Sequence, residues 1–220
     1  MIPAKPPPAY IIVIGAVPAG RETSRLPPRA PIAWRSLIAF SFMSHVFKYC
    51  PCCSAPLALI TQKEDGGDKA RLRCAACGFT HWNNPTPVLA AVIEYQGKIL
   101  LARNAAWPGK MFALITGFME AGDTPEGGMA REILEETNLE TSALTLIGVY
   151  DFQRMNQVII AYHALCHGEV RLSPELVDYR LFAPESVKCW PAGTGFALAD
   201  WLKSRGYTPR FAEFPKRDPE

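Results

Sequence analysis

Residues Gly117 to Leu139 constrain this chain more tightly than any other stretch. The run Arg131-Glu132-Ile133-Leu134-Glu135-Glu136 packs three carboxylates and one guanidinium into little more than a turn and a half of helix. In a helix Glu132 and Glu136 stand at i, i+4, and Glu135 at i+3 from Glu132, so the three acids share one face. At about 100° per residue, Ala130, Ile133, Leu134 and Thr137 fall nearly opposite and are expected to dock on a core. Thr124 followed by Pro125 predicts an N-cap and a first helical position. Gly127 and Gly128 each cost about 1 kcal/mol relative to Ala, and close packing or flexibility near a site is the only reason to tolerate both. Three like charges on one face repel, and a bound divalent cation turns that repulsion into a binding site.

These residues resemble the Nudix box: Gly, five residues, Glu, seven residues, Arg-Glu, an aliphatic, any residue, Glu-Glu, any residue, Gly, an aliphatic. Gly117, Arg131, Glu132, Ile133, Glu135, Glu136 and Leu139 fall in register. Asp123 stands where the family has Glu, and Asn138 where it has Gly. Asp keeps the charge on a shorter stem, so a pairing with Arg131 must be made at closer range. Asn is the next best residue after Gly for a left-handed C-cap.

Two C-x-x-C knuckles, Cys50-Pro51-Cys52-Cys53 and Cys74-Ala75-Ala76-Cys77, form the second motif. Their spacing fits a structural Zn2+ ribbon with Cys50, Cys53, Cys74 and Cys77 as ligands and Cys52 left over. Gly78 is expected to close the second knuckle in a left-handed conformation, and Tyr49, Leu72 and Phe79 to cover the site. The charged stretch Gln62 to Lys69 suits a hairpin tip. A disulfide framework would imply secretion, which no signal peptide supports, and a redox pair needs a strand-to-helix context missing here. Cys166 and Cys189 read as buried thiols.

Charge is uneven. Residues 1–42 hold five Lys/Arg against one Glu, whereas the whole chain carries only +2. A folded part near neutrality argues against a nucleic-acid platform. Eight of the 20 prolines precede residue 43, so residues 1–42 are expected to be a disordered, non-functional extension, with Met43 as the natural start. No apolar run approaches the roughly eighteen residues that span a bilayer. A cytoplasmic location without membrane contact is the expectation.

From Thr86 onward the pattern turns to strands. Val88–Ile93 and Lys98–Ala102 read as a hairpin about the turn Glu94–Gly97, and Phe112–Thr116 as a strand delivering Gly117. Further strands are expected near Leu144–Phe152, Val158–Cys166 and Tyr179–Phe182, with a closing helix near Phe196–Arg205. The expected fold class is α/β: a mixed sheet sandwiched between helices, preceded by the small ribbon. The domains are then 43–84 for the ribbon, 85–206 for the Nudix unit and 207–220 for a tail.

A four-cysteine ribbon followed by a Nudix domain resembles the zinc-ribbon subgroup that includes NADH pyrophosphatases and FAD and ADP-ribose pyrophosphatases. Asn84-Pro85, Phe112, Gly117-Phe118, Pro174-Glu175-Leu176 and Pro191-x-Gly193-Thr194 share that likeness. The Ser-Gln-Pro-Trp-Pro-Phe-Pro array of the NADH-specific enzymes is missing; Asp151 to Gln157 stands in its place, and only Gln153 survives from it.

The resemblance implies hydrolysis of the diphosphate in a dinucleotide or nucleotide-sugar, with Mg2+ or Mn2+ held by Glu132, Glu136 and Glu135 and by the carbonyl of a loop Gly117. Arg131 is read as an organiser pairing with Asp123 or Glu132. Glu175 is the candidate general base or outer metal ligand, against a reading as a solvated loop acid, and Glu120 ranks below it. Phe112, Phe118, Phe152 and Trp107 could stack a base, although strand aromatics belong more often to the core. His163 reads as structural. The rival readings are a nucleotide-sensing module without turnover and an enzyme removing an NAD cap from RNA, in which His81 and Trp82 would stack bases. Ribbon-bearing relatives often pair, which leaves a homodimer open.

Overall fold

The computed structural model describes residues 47–107 and 111–212. The Pro-rich extension, the expected start at Met43 and the last eight residues of the tail lie outside them.

The ribbon is a three-stranded antiparallel sheet. Strand β1 (Leu57–Glu64) turns at Asp65-Gly66 into β2 (Gly67–Cys74), pairing without a slip from Leu57↔Cys74 to Glu64↔Gly67, and β3 (Thr80–His81) joins the far edge. Asp-Gly is among the strongest hairpin turns, because the glycine enters the left-handed region freely; Gly66 sits at φ 85. Gly78 also adopts positive φ, closing the second knuckle. Tyr49 does not cover the cysteines as anticipated, being exposed beside its bridge to Pro56. Leu72 and Phe79 are half-buried.

The larger unit is built on β4 (Thr86–Tyr95), in which Leu89 to Ile93 are sealed on both faces. Burial on both faces explains the continuous apolar run there. A tight turn at Gln96-Gly97, both at positive φ, leads to β5 (Lys98–Asn104). The next strand, β6 (Ile115–Phe118), starts and ends later than Phe112–Thr116, so Gly117 lies within a strand and not in a loop. After helix α1 (Pro125–Thr137) come β7 (Glu140–Phe152), a single 3-10 turn (Gln153–Met155), β8 (Gln157–His167) and β9 (Leu176–Phe182). A short parallel pair, β10 (Lys188–Cys189) and β11 (Arg210–Phe211), brackets helix α2 (Thr194–Ser204) and ties the chain beyond residue 206 back to the domain.

The central sheet runs β7-β8-β4-β5-β9; β4 and β8 are parallel and the other pairs antiparallel. β6 shares an edge of β4 with β5: Val88–Ala91 pair with β6, and Ile93–Tyr95 with β5. The two neighbours splay apart, held by one bridge, Ala102↔Ala113. On one face Met129 and Ile133 of α1 pack with Leu89, Ala91, Ile115, Leu139 and Tyr162. On the other, Leu198, Trp201 and Leu202 of α2 pack on Val92, Ile99, Leu101 and Leu114. The result is an α/β/α sandwich. Each large apolar side chain so buried stabilises it by about 1.5–3 kcal/mol.

Candidate active site

The box begins where β6 leaves the sheet and α1 starts. Thr124 Oγ1 accepts from Gly127 N at 3.1 Å, capping one free amide of the first turn, with Pro125 at the first position. At the far end Asn138 sits at φ 60 and its N–H donates to Leu134 O at 2.8 Å. Its side chain donates to Glu169 O at 3.0 Å, a contact glycine cannot make.

The inward stripe of α1 is Met129, Ile133 and Thr137, with Gly128 beside it. Leu134 is 50% exposed, so the expected docking stripe is corrected by part of a turn. Gly128 is the cause: a Cβ there would lie 2.7 Å from Leu89 Cδ1, so the helix rolls down on β4 at this point. The roll lays the next row, Glu132 and Glu136, half-buried along the rim. Gly117 serves the same geometry. A Cβ on it would lie 2.0 Å from Glu132 Cδ, because the Glu132 side chain occupies that space.

Arg131 ties the box together. Its guanidinium donates to Asp123 Oδ2 at 3.0 Å, Glu132 Oε1 at 2.9 Å and Glu135 Oε2 at 3.0 Å. The Arg131 hydrogen bond holds the Asp123 carboxyl below its ordinary range. Asp123 Oδ2 also accepts weakly from Glu120 N at 3.3 Å, which closes the loop ahead of the helix. Glu135 is exposed and turned toward Arg131, whereas Glu132 and Glu136 are half-buried.

Glu136 has no such compensation. Burial, then the carboxylates of Glu132, Glu175 and Glu135, push it up to about 7. Glu132 is also raised, by burial first and with Glu120 contributing, against the pull of Arg131. Glu175 reaches this place through the irregular segment that precedes β9: Arg171 N donates to Thr137 O (2.9 Å), Ser173 N to Glu136 O (3.0 Å) and Ala105 N to Glu175 O (2.8 Å). Free carbonyls at the end of α1 are thereby satisfied, and Glu175 is fastened between α1 and the end of β5. Nothing in the local sequence periodicity signals that strap.

The remaining candidates divide. Phe112 lies under the Arg180 guanidinium at 4.6 Å and packs with the α2-side core. Phe118 pairs with Val88 and is exposed. Phe152 packs against the α2-side core with Arg154 over its ring at 5.3 Å, and Trp107 is half-buried at the end of β5. His163 bonds Glu94 at 2.9 Å and stacks on Trp201, a latch between β8 and α2. Cys166 and Cys189 are buried. A cleft of about 360 Å³, lined by Pro85, Val149, Asp151, Gln153 and Gln157 among others, lies over the first residues of β4 and β8; no spacing in the sequence marks it.

Two donor sets fit metal ions. Crowded carboxylates at Glu132, Glu136 and Glu175, of which only Glu132 is paired with a cationic side chain among the described residues, suit a hard divalent cation. In the ribbon the Sγ atoms of Cys50, Cys53, Cys74 and Cys77 lie within 4.8 Å of one another, and the pairs Cys50–Cys77 and Cys53–Cys74 are each 3.5 Å apart. Tetrahedral Zn–S bonds of about 2.3 Å place sulfurs about 3.8 Å apart, so four unbridged thiols gathered this closely match a zinc site. Cys52 is exposed and outside the cluster.

The sandwich and the acid-lined helix define a class, and the NUDIX domain family model matches residues 84–203, more than half of the chain. The chain belongs to the Nudix family. It is 26% identical over 177 residues to the NAD-capped RNA hydrolase NudC of Vibrio vulnificus (strain CMCP6), covering 79% of this chain and 66% of that protein. The NudC of Mycobacterium tuberculosis (strain H37Rv) is 31% identical over 117 residues, 52% of this chain and 36% of the relative. The chain thus spans less than two thirds of the length of these curated relatives. The crystal structure of a NUDIX hydrolase from Nitrosomonas europaea matches with a TM-score of 0.62 at 27% identity, covering 76% of this chain and 97% of that one. Among the described residues no helix is long and apolar enough to cross a membrane.

Proposed function

We propose that this chain is a divalent-metal-dependent pyrophosphohydrolase. Its substrate is a nucleoside diphosphate linked to a second group, of ADP-ribose, FAD or NADH type, and its product a nucleoside monophosphate. The observation that carries the proposal is the gathering of Glu132, Glu136 and Glu175, with Glu132 resting against Gly117 and Glu136 pushed up to about 7, by burial first and then by its acidic neighbours. In the reaction a water oxygen bonds to one phosphorus, the bridging P–O bond breaks, and the departing phosphate oxygen keeps the electron pair.

Glu132 and Glu136, with Glu135 assisting and the Gly117 carbonyl beside them, would hold Mg2+ or Mn2+. Such an ion supplies neutralisation of the phosphate oxygens and a lowered pKa for water. Arg131 keeps Asp123, Glu132 and Glu135 in place and is already committed to them, so it organises the acids and does not clamp phosphate. Glu175, fastened at its own carbonyl but with a free carboxylate, receives the proton of the attacking water. The four cysteines would hold Zn2+ that stabilises the ribbon (43–84) ahead of the catalytic unit (85–206). Free thiols suit the reducing cytoplasm, the proposed location.

A second reading rests on the relatives that are NAD-capped RNA hydrolases: an NAD cap on RNA as substrate. The segment Asp151 to Gln157, which keeps only one residue of the NADH-specific array, speaks for ADP-ribose or FAD instead. A sensing module without turnover is disfavoured, since every carboxylate of the box helix is retained. A panel of ADP-ribose, FAD, NADH and NAD-capped RNA, run with Mg2+ and with Mn2+, separates these readings. Monophosphate release that Glu136→Gln abolishes is the expected result; release from none of them, or turnover untouched by the substitution, overturns the proposal.

A further inference from the structure

The strap between β8 and β9 carries a polar atom that the fold does not use. Ser173 Oγ is buried and has no hydrogen-bond partner, although its backbone N–H donates to Glu136 O at 3.0 Å and its carbonyl accepts from Leu176 N at 3.1 Å. The second of these bonds closes a β-turn, Ser173-Pro174-Glu175-Leu176, with Pro at its second position, where a fixed φ stiffens it. One end of the turn is pinned to the backbone of Glu136. The other carries Glu175, whose carbonyl is held by Ala105 N at 2.8 Å. The turn therefore links the backbone attachment points of the two acids, and Ser173 stands at its first position, bonded to the backbone of Glu136.

A buried hydroxyl left unpaired forfeits its hydration without return, so its retention calls for a partner that the chain itself does not provide. The acids that the strap approaches, Glu136 through its backbone and with it Glu132 and Glu175, are acceptors when ionised, and Arg131 donates elsewhere. We infer that Ser173 is a positioning residue for the cation site, its hydroxyl reserved as a donor to the carboxylates, or to the water they order, when a divalent ion draws them together. The inference rests on the proposed pyrophosphohydrolase site and adds a residue to it. Groups that orient metal ligands in this way typically change metal affinity 10–100-fold when removed.

The test is Mn2+ binding to the full chain, followed by the electron paramagnetic resonance of free Mn2+, for the wild type, Ser173→Ala, Ser173→Thr and Glu136→Gln. Ser173→Ala keeps the backbone bond to Glu136 and removes only the hydroxyl. It is expected to weaken Mn2+ about tenfold and to lower kcat more than it raises KM. Ser173→Thr, which restores a hydroxyl, is expected to recover affinity. Ser173→Ala within twofold of wild type for Mn2+ overturns the inference, as does a Thr variant no better than Ala; a shift in thermal midpoint alone marks the residue as structural. If Glu136→Gln also leaves Mn2+ binding intact, the acidic-site reading itself fails, a separate outcome from failure at Ser173.

Discussion

Glu136 concentrates the tension in this protein: a carboxylate half-buried among other carboxylates and lifted to about 7 by burial first and then by its neighbours. Because the folded state holds that proton more tightly than the unfolded chain, its contribution to stability is full below the ordinary Glu value of 4.5 and is lost as pH rises through about 7. Metal-free protein should therefore show a falling thermal midpoint between those limits. Glu136→Gln should flatten the fall, and saturating Mg2+ should oppose it by binding the folded state. Calorimetry across that range checks both, and an unchanged slope in the Gln variant removes Glu136 as the cause. Gly117 is the complementary case. Ala at this position puts a methyl where Glu132 lies, and overpacking of this kind costs about 1–3 kcal/mol. The expected signature is a modest loss of stability with a far larger loss of turnover, measured by urea unfolding alongside phosphate release.

The box helix shows how much of an element its own residues specify. Its caps, Thr124 and Asn138, are readable from residue type, because short polar side chains compete for free amides and tolerate left-handed backbone. Replacing Asn138 by Ala should cost on the order of 1 kcal/mol or more from the left-handed conformation alone, and it also removes the bond to Glu169 O; Asn138→Gly should lose less. The rotation of the helix was less legible. Periodicity marked Leu134 as docked, yet Leu134 is half-exposed while Met129 is sealed in the core, since two adjacent stripes were both apolar enough to serve. Ile133, common to both, is the anchor: Ile133→Ala should destabilise by about 2–5 kcal/mol in chemical denaturation.

Across the molecule, two units with different sources of stability share one chain. The Nudix sandwich buries two apolar faces of one sheet, but the ribbon exposes Tyr49, Leu59 and Trp82 and buries mainly Cys50 and Cys74. A module so poor in core is expected to draw its stability from a metal held by the four cysteines. One Zn2+ per chain is expected by elemental analysis, and a thiolate-competing chelator should melt the ribbon sheet while the sandwich persists. Cys53→Ser should reproduce the chelated state; a ribbon indifferent to both would remove zinc from the account.

Residue order alone decided what depends on near neighbours: the helix with its acids, the two knuckles, the Gln96-Gly97 and Asp65-Gly66 turns, and the buried run of β4. Each is written within a few residues, where backbone preference and side-chain period act directly. Contacts between distant segments were decided only in three dimensions. Glu132 rests on Gly117 of β6, Gly128 packs against Leu89 of β4, and the strap brings Ser173 and Glu175 to Glu136. Such contacts follow from strand order, which no local spacing encodes, and they set the row of acids on the helix against β6 and the strap.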